Sequence, residues 1–474
     1  MLAASPLPPG PPEPALVQAL RLGQDPYAFL KACARRYGDV FTLRLPGDPP
    51  RVVTSDPSHI RQIFALRADD YVAREQSFPL NVGESSLLFL DGAQHQRDRQ
   101  LMMPHLHGER LRSYANLMKE TADEVIDRWT EGQTVAIQPA LQEITLNVVL
   151  RCIFGLTDRA LAERIRAPLV AWMDEVLKPS MFFSSVLIGQ TRFRRLLDRM
   201  AHRFARRGAH RSRFLPWSHA SAAKAEVIVF LRDEIARCRS EGTHGRTDVL
   251  ALLANSHYED GALMEVDHAV DELVTLLVGG HETTSNTLAW ALCHILPRPD
   301  VLVAIEAERA RVFGDGPIDP TRTAELPYLD AAIKESMRLS PIAPSVNRIL
   351  TRPLTLGAIT VPASAMVWPC IYLAHHREDL WPDPESYRPE RFLDGAPSQS
   401  HFFPFGGGRR TCLGMAFASV EMRIVIAELL ARARLRLAPG ARVQAEFRGI
   451  TIAPVDGLRV VIDEIRRPPQ RAAA

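Results

Sequence analysis

Cys412 has the surroundings most specialised for chemistry in this 474-residue sequence. It sits in Phe402-Phe-Pro-Phe-Gly-Gly-Gly-Arg-Arg-Thr-Cys-Leu-Gly414. Gly406, Gly407, Gly408 and Gly414 open backbone angles closed to other residues and let the main chain approach a flat ligand. A helix-forming run from Met415 to Leu430 follows at once. A thiol just ahead of a helix start faces amide hydrogens and the positive end of a dipole, and both favour the thiolate. Arg409 and Arg410 push the same way. The expectation is a thiolate that stays deprotonated while bound to a metal. The ordinary alternative for a lone cysteine is a small buried hydrophobe beside a glycine-rich turn.

Other stretches add acid, alcohol and cation. Leu276-Leu-Val-Gly-Gly-His-Glu-Thr-Thr-Ser-Asn-Thr287 places Gly279 and Gly280 inside a helical pattern, where each glycine costs roughly 1 kcal/mol against alanine. Close approach of another surface would explain that cost, and a glycine-centred bulge would free a backbone carbonyl. Glu282 and Thr283 follow as an acid beside an alcohol. Glu335 and Arg338 are three apart on a helical pattern and can meet on one face, as can His95 and Arg99, four apart. Taken singly, each reads as well as a polar helix patch or a solvated pair.

Together they do not. Phe405-x-x-Gly408-x-Arg410-x-Cys412-x-Gly414 resembles the haem-binding signature of the cytochrome P450 family. Gly279-Gly-His-Glu-Thr-Thr284, Glu335-x-x-Arg338 and Tyr387-Arg-Pro-Glu-Arg-Phe392 resemble three further motifs of that family, in the right order. The resemblance implies haem b as cofactor, with Cys412 as the metal ligand whose electron donation favours O–O cleavage. It further implies Glu282 and Thr283 as the proton-delivering pair, and Phe405, Gly279 and Gly280 against the haem. His95, Arg99, Arg348 and Arg410 fall where the family contacts the haem propionates. Glu335, Arg338 and Arg391 fall where it builds a buried structural network. By the same likeness Leu87, Phe89, Phe182, Phe183, Val186, Ile342, Val346 and Ile450 would line a substrate pocket, and their apolar character suits a fatty acid, terpenoid or similar lipid.

The implied reaction uses O2 as co-substrate. No flavin or iron–sulfur segment and no G-x-G-x-x-G after a strand is found, so the electrons of NAD(P)H are expected through a separate ferredoxin and its reductase. Two rivals are a P450-fold enzyme that consumes or rearranges peroxide, and a haem-thiolate binding protein without turnover. Peroxide-using relatives typically lose the acid–alcohol pair and a binding protein needs none, whereas Glu282-Thr283 is intact.

The elements that must position these residues are mainly helical. Residues 1–15 are a proline-rich leader, expected to be extended and solvated, and residues 16–474 a single mainly α domain with a smaller β region. A helix is expected over Leu16–Tyr37, a hairpin from Val40–Leu45 and Arg51–Thr54, and a long helix over Val266–Leu296. A candidate insertion near 190–215 holds nine arginines between Arg192 and Arg213, expected to form a solvated face. The net charge of +2 gives no reason to expect nucleic acid as a partner. Six scattered cysteines without a C-x-x-C pair fit a reducing compartment, and no apolar stretch is long enough for a membrane span. A cytoplasmic location is expected.

Overall fold

The computed structural model describes residues 7–72, 81–176, 178–208, 216–242, 245–246, 248–393, 395, 397, 400–448 and 451–467, without the side chains of Arg159, Pro179, Phe182, Phe183, Val186, Leu187 and Pro216. The chain opens with α1 (Ala15–Gln24) and α2 (Pro26–Tyr37). One continuous helix was the expectation. Asp25 ends it, because its carboxylate caps the Ala28 N–H and Pro26 at the first helical position cannot donate backward. Strands β1 (Val40–Leu43) and β2 (Arg51–Thr54) then pair antiparallel, as the hairpin pattern required. They are followed by α3 (Pro57–Phe64) and β3 (Tyr71–Val72).

The middle of the chain is helical: α4 (Gly92–Met102), α5 (Glu109–Ile126), then a short β4 (Thr134–Ala136) and α6 (Ile137–Val148). Next come α7 (Arg159–Val176), α8 (Pro179–Ile188), α9 (Gln190–Arg207), α10 (Pro216–Glu241) and α11 (Val249–Ala254). The long α12 (Val266–Ile295) is buried almost all round, which is why its sequence shows no single apolar stripe. Helices α13 (Pro299–Phe313) and α14 (Pro327–Leu339) lead to β5 (Arg348–Leu350), β6 (Leu354–Leu356), β7 (Ile359–Val361) and β8 (Met366–Pro369). The chain closes with α15 (Ile371–His375), α16 (Met415–Arg432), β9 (Ala433–Leu437), β10 (Ala445–Arg448), β11 (Thr451–Pro454) and β12 (Arg459–Ile465).

The main sheet has the order β1-β2-β8-β5-β3, with β2 and β8 parallel and its other pairs antiparallel. A second sheet, β4-β12-β9, joins residues more than 300 positions apart, and β6-β7 and β10-β11 are small hairpins. One large apolar core runs from Val82 to Ile462 through α5, α6, α10, α12 and α16, so the long helix is its axis. Among the described residues no single helix is long and apolar enough to cross a membrane.

The described part of the leader, residues 7–14, is solvated only in part: Pro9, Pro12 and Pro14 are exposed. Pro9 O accepts the Thr42 N–H at 3.0 Å, Pro8 and Pro11 are buried, and Gln18 Nε2 donates to Pro11 O at 3.1 Å. A Cβ at Gly10 would fall 1.9 Å from Thr42 O, so the segment lies tight along β1. Proline freed these residues from ladder bonding without freeing them from packing.

The arginine-rich α9 is a solvated face only in part. Its Phe193 and Leu197 point into the core, as their spacing required, but Arg194 is only 3% exposed. The Arg194 guanidinium carbon lies 3.5 Å from the centre of the Phe89 ring, and Glu84 pairs with both Arg194 and Arg195. A desolvated cation over an aromatic face contributes about 2 kcal/mol, so this arginine fastens α9 to the 81–90 loop. Arg211 and Arg213 lie outside the described residues.

Candidate active site

The Cys412 loop is closed by its own backbone. Cys412 N–H donates to Phe405 O at 2.9 Å and Thr411 N–H to Gly408 O at 3.1 Å. Phe403 N–H donates to the buried His375 Nε2 at 3.0 Å, which ties the loop to α15. The glycines serve packing more than expected. A Cβ on Gly407 would fall 2.3 Å from the Phe64 ring, and one on Gly408 2.2 Å from Phe64 O. Both admit the end of α3; Gly408, at φ +66°, also needs a left-handed backbone.

Cys412 is the accessible cysteine; the other five are buried. Burial among protein atoms nevertheless pushes its pKa up and makes the thiol less acidic, against the Gly414 N–H and the Arg99 charge that draw the pKa down. Both observations hold because the thiol faces an internal recess. This corrects the expectation that the helix start and the neighbouring arginines by themselves favour the thiolate. The helix-start amide contributes as expected, but Arg409 reaches out to Gln96 and Arg410 is engaged elsewhere, so desolvation wins. A metal must displace the proton, and loading is coupled to proton release.

Beside the thiol stands a cluster of cations. His95 and Arg99 lie one turn apart on α4, Arg348 opens β5, and Arg410 precedes Cys412 by two residues. Burial, then Arg410, Arg99 and Arg348, pull the His95 imidazole down to about 3, so it is neutral at ordinary pH. Arg348 is itself lowered to about 10, first by burial, with Tyr71 opposing. The Tyr71 ring centre lies 5.0 Å from the Arg348 guanidinium carbon and 5.8 Å from that of Arg410. Arg410 also donates to Leu87 O at 3.0 Å, to Leu90 O, and to Asp91 at 3.2 Å. The Arg99 guanidinium has no hydrogen bond among the described residues, and Arg410 Nε is buried without one. Three guanidiniums around a neutral imidazole leave a positive excess that suits a dianion.

Between Leu276 and Thr284 of α12 the accessible positions are Leu276, Gly279, Gly280 and Thr283, while Leu277, Val278, His281, Glu282 and Thr284 are buried. Spacings of three and four place these four on one stripe of the helix. Nothing lies within 4 Å of a Cβ built on Gly279, whereas one on Gly280 would fall 2.8 Å from Val149 Cγ2. The helix is unbroken here. The expected bulge is absent, and the Gly279 carbonyl accepts the Thr283 hydroxyl instead of standing free. Burial lifts the Glu282 carboxyl to about 7 against the pull of Arg448, and its Oε2 has no hydrogen-bond partner among the described residues. Arg448 is held by Gln138 Oε1 at 2.8 Å; Gln138 in turn donates to Asn286, which donates to Thr451 at 2.6 Å.

The family model for cytochrome P450 matches residues 7–457. The chain belongs to the cytochrome P450 family. Cytochrome P450 135B1 of Mycobacterium tuberculosis is 34% identical over 464 residues, covering 97% of this chain and 92% of that protein. Cytochrome P450 135A1 of the same organism is 32% identical over 470 residues, covering 98% and 96%. A cyanobacterial P450, CYP120A1, solved with retinoic acid bound, superposes with a TM-score of 0.77 at 22% identity, covering 96% of this chain and 99% of its own. This P450 is therefore a haem-thiolate monooxygenase, an oxidoreductase that carries haem iron.

The residues present fit that group. An accessible sulfur, an open glycine stripe and a cationic cluster with an unsatisfied Arg410 Nε could take iron, porphyrin face and propionates respectively. The P450 motif residues Glu335, Arg338 and Arg391 are also assembled. Arg338 grips Glu335 through two bonds, of 2.7 and 2.8 Å, with both side chains fully buried. Arg391 Nε stands 3.3 Å from Glu335 Oε1. Arg338 also donates to the carbonyls of His375, Pro384 and Ser386, so the pair joins α14 to the chain on either side of Trp381.

The expected lining divides in two. Leu87 and Phe89 are buried on the 81–90 loop, which α12 holds down through Asp271 and Glu272; Ile342 and Val346 are half-buried beside the Cys412 loop and β11. Ile450 and the side chains of Phe182, Phe183 and Val186 lie outside the described residues. Tyr71 and Phe64 are site residues that sequence reasoning missed. Neither belongs to a motif, and only the pairing of β3 with β5 and the end of α3 bring them in.

Proposed function

We propose that this P450 inserts one atom of O2 into a hydrophobic small molecule of the fatty acid, terpenoid or similar lipid class, in the cytoplasm. Electrons would come from NAD(P)H through a ferredoxin and its reductase. Cys412 would hold the iron, His95, Arg99, Arg348 and Arg410 would hold the propionates, and Tyr71 would orient the last two. Bound haem b supplies the oxygen activation and hydrogen abstraction. The observation that carries the reading is the Glu282–Thr283 pair beside an accessible glycine stripe on α12.

The chain's own part is proton supply and water exclusion. With a carboxyl held near 7, Glu282 can both take and give a proton at working pH. Thr283 donates to Gly279 O, which leaves its own oxygen able to accept from an ordered water. Peroxide-supported chemistry needs no such relay, which favours O2 as the oxidant. For an incoming ferredoxin Arg112 is exposed, whereas Arg97 already pairs with Asp260 at 2.5 Å.

Two variants test the relay. Thr283→Ala should still bind substrate and accept electrons, yet lose most of its product per NAD(P)H consumed to hydrogen peroxide. Glu282→Gln should slow turnover about a hundredfold, the usual scale of a general acid. Unchanged coupling in Thr283→Ala would contradict this proton path. Stability should move the other way. Between the ordinary 4.5 and about 7 the folded state keeps a proton on Glu282 that the unfolded chain has released. Stability therefore falls as pH rises through that window, by about 3 kcal/mol in all. Glu282→Gln cannot ionise, so it should raise the melting temperature at about pH 8 and leave it unchanged at about pH 4.

A further inference from the structure

A second set of ligating side chains is buried between α4 and the first turns of α12. Asp98 comes from α4, while His268 and Glu272 lie four apart on one face of α12. Their ligand atoms, one from each residue, all lie within 4.8 Å of one another. His268 Nε2 is 2.8 Å from Asp98 Oδ2 and 3.9 Å from Glu272 Oε1. Both carboxylates are fully buried, at 0% exposure. Glu272 Oε2 accepts the Leu87 N–H at 3.1 Å, but Oε1, turned toward His268, has no hydrogen-bond partner among the described residues. Asp98 Oδ1 is fixed from behind by Gln94 Nε2 at 2.9 Å and Tyr258 OH at 2.8 Å.

Two dry carboxylates against one imidazole lack positive charge. Asp98 and Asp271 press on Glu272, and among the described residues no guanidinium or ammonium pairs with it. Arg97 lies over the Tyr258 ring at 3.8 Å and pairs with Asp260. We propose that Asp98, His268 and Glu272 form a binding site for a divalent cation of the zinc or manganese class, separate from the haem site. One imidazole nitrogen and two carboxylate oxygens are a ligand set such ions accept. At metal–ligand lengths of about 2.0–2.2 Å the ligand atoms would stand about 3–3.5 Å apart. The present separations need only a slight opening at Asp98 and a slight closing at Glu272. His268, 17% exposed, gives the ion its way in. The ion would clamp α4, which carries His95 and Arg99, to α12, which carries Glu282 and Thr283, with the 81–90 loop held through Leu87.

The test uses the haem-loaded enzyme, stripped with a chelator, titrated calorimetrically with zinc chloride and then desalted for elemental analysis. The expected result is one zinc per haem iron surviving desalting, with a raised melting temperature. Glu272→Gln and His268→Gln should each abolish that retention, and Tyr258→Phe, which loosens only the support of Asp98, should weaken binding about tenfold. Tyr258→Phe keeps the test open should either buried variant fail to load haem. Wild-type enzyme that retains no zinc would overturn the site. Zinc retained equally by all variants would also overturn it, by assigning the metal to surface histidines.

Discussion

Cys412→His is expected to abolish monooxygenase turnover and to remove the strongly red-shifted absorption of the reduced carbon monoxide complex, which requires a sulfur ligand. An imidazole at this position can still ligate iron, so the variant should retain some haem. The five remaining cysteines cannot substitute. Cys33, Cys152, Cys238, Cys293 and Cys370 are buried, and burial holds Cys33 near 11 and Cys293 and Cys370 near 12, so they remain thiols in the packed interior. Replacing any of them by alanine should leave the band in place. Because burial keeps the free Cys412 thiol protonated, haem loading of wild-type protein should release a proton that Cys412→His does not. A thiolate-type spectrum in Cys412→His would contradict the assignment of the ligand.

Arg338→Ala should be the most destabilising single change outside the haem ligand. It takes both guanidinium bonds from the fully buried Glu335 carboxylate, leaving it only Arg391 at 3.3 Å and the Arg388 N–H, and leaves the carbonyls of His375, Pro384 and Ser386 without the Arg338 donor. Breaking a buried pair from one side costs about 3–5 kcal/mol, a large share of the about 5–15 kcal/mol that holds a typical domain folded. The loss should appear in urea unfolding of haem-loaded protein as a lower midpoint, and in expression as poor haem incorporation. Arg322→Ala provides the contrast. Its pair with Glu325 is also three residues apart, but the two side chains are 45% and 51% exposed, so its loss should leave the urea midpoint nearly unchanged. Equal effects of the two substitutions would mean that the buried network does not secure the core.

What the sequence made legible follows from locality. The Cys412 loop, Gly279–Thr284 and Glu335–Arg338 each hold their partners within a turn or two, so residue type and spacing already describe the geometry. The acidity of Cys412 was misjudged for the opposite reason. Arg410 stands two residues away in sequence, yet it donates to Leu87, Leu90 and Asp91, more than 300 positions distant. Burial, which decides the sign, is a property of the assembled core. Tyr71, Phe64 and the cation–aromatic contact of Arg194 with Phe89 are likewise products of tertiary packing. The leader shows the same limit: six prolines between Pro6 and Pro14 indicate extended backbone but not that Thr42 holds it down.

The central claim is that the protein places one atom of dioxygen in an apolar substrate and delivers protons to the other. The most direct measurement incubates the enzyme with a ferredoxin, its reductase, NAD(P)H and isotopically heavy dioxygen, on fatty acid and terpenoid substrates chosen by their shift of the haem spin state. Mass spectrometry of the product should find a single heavy oxygen atom, with the label absent when heavy water replaces heavy dioxygen, and Thr283→Ala should yield far less labelled product for the same NAD(P)H consumed. Product whose oxygen derives from water, or that forms only with added peroxide and equally in Thr283→Ala, would contradict the account.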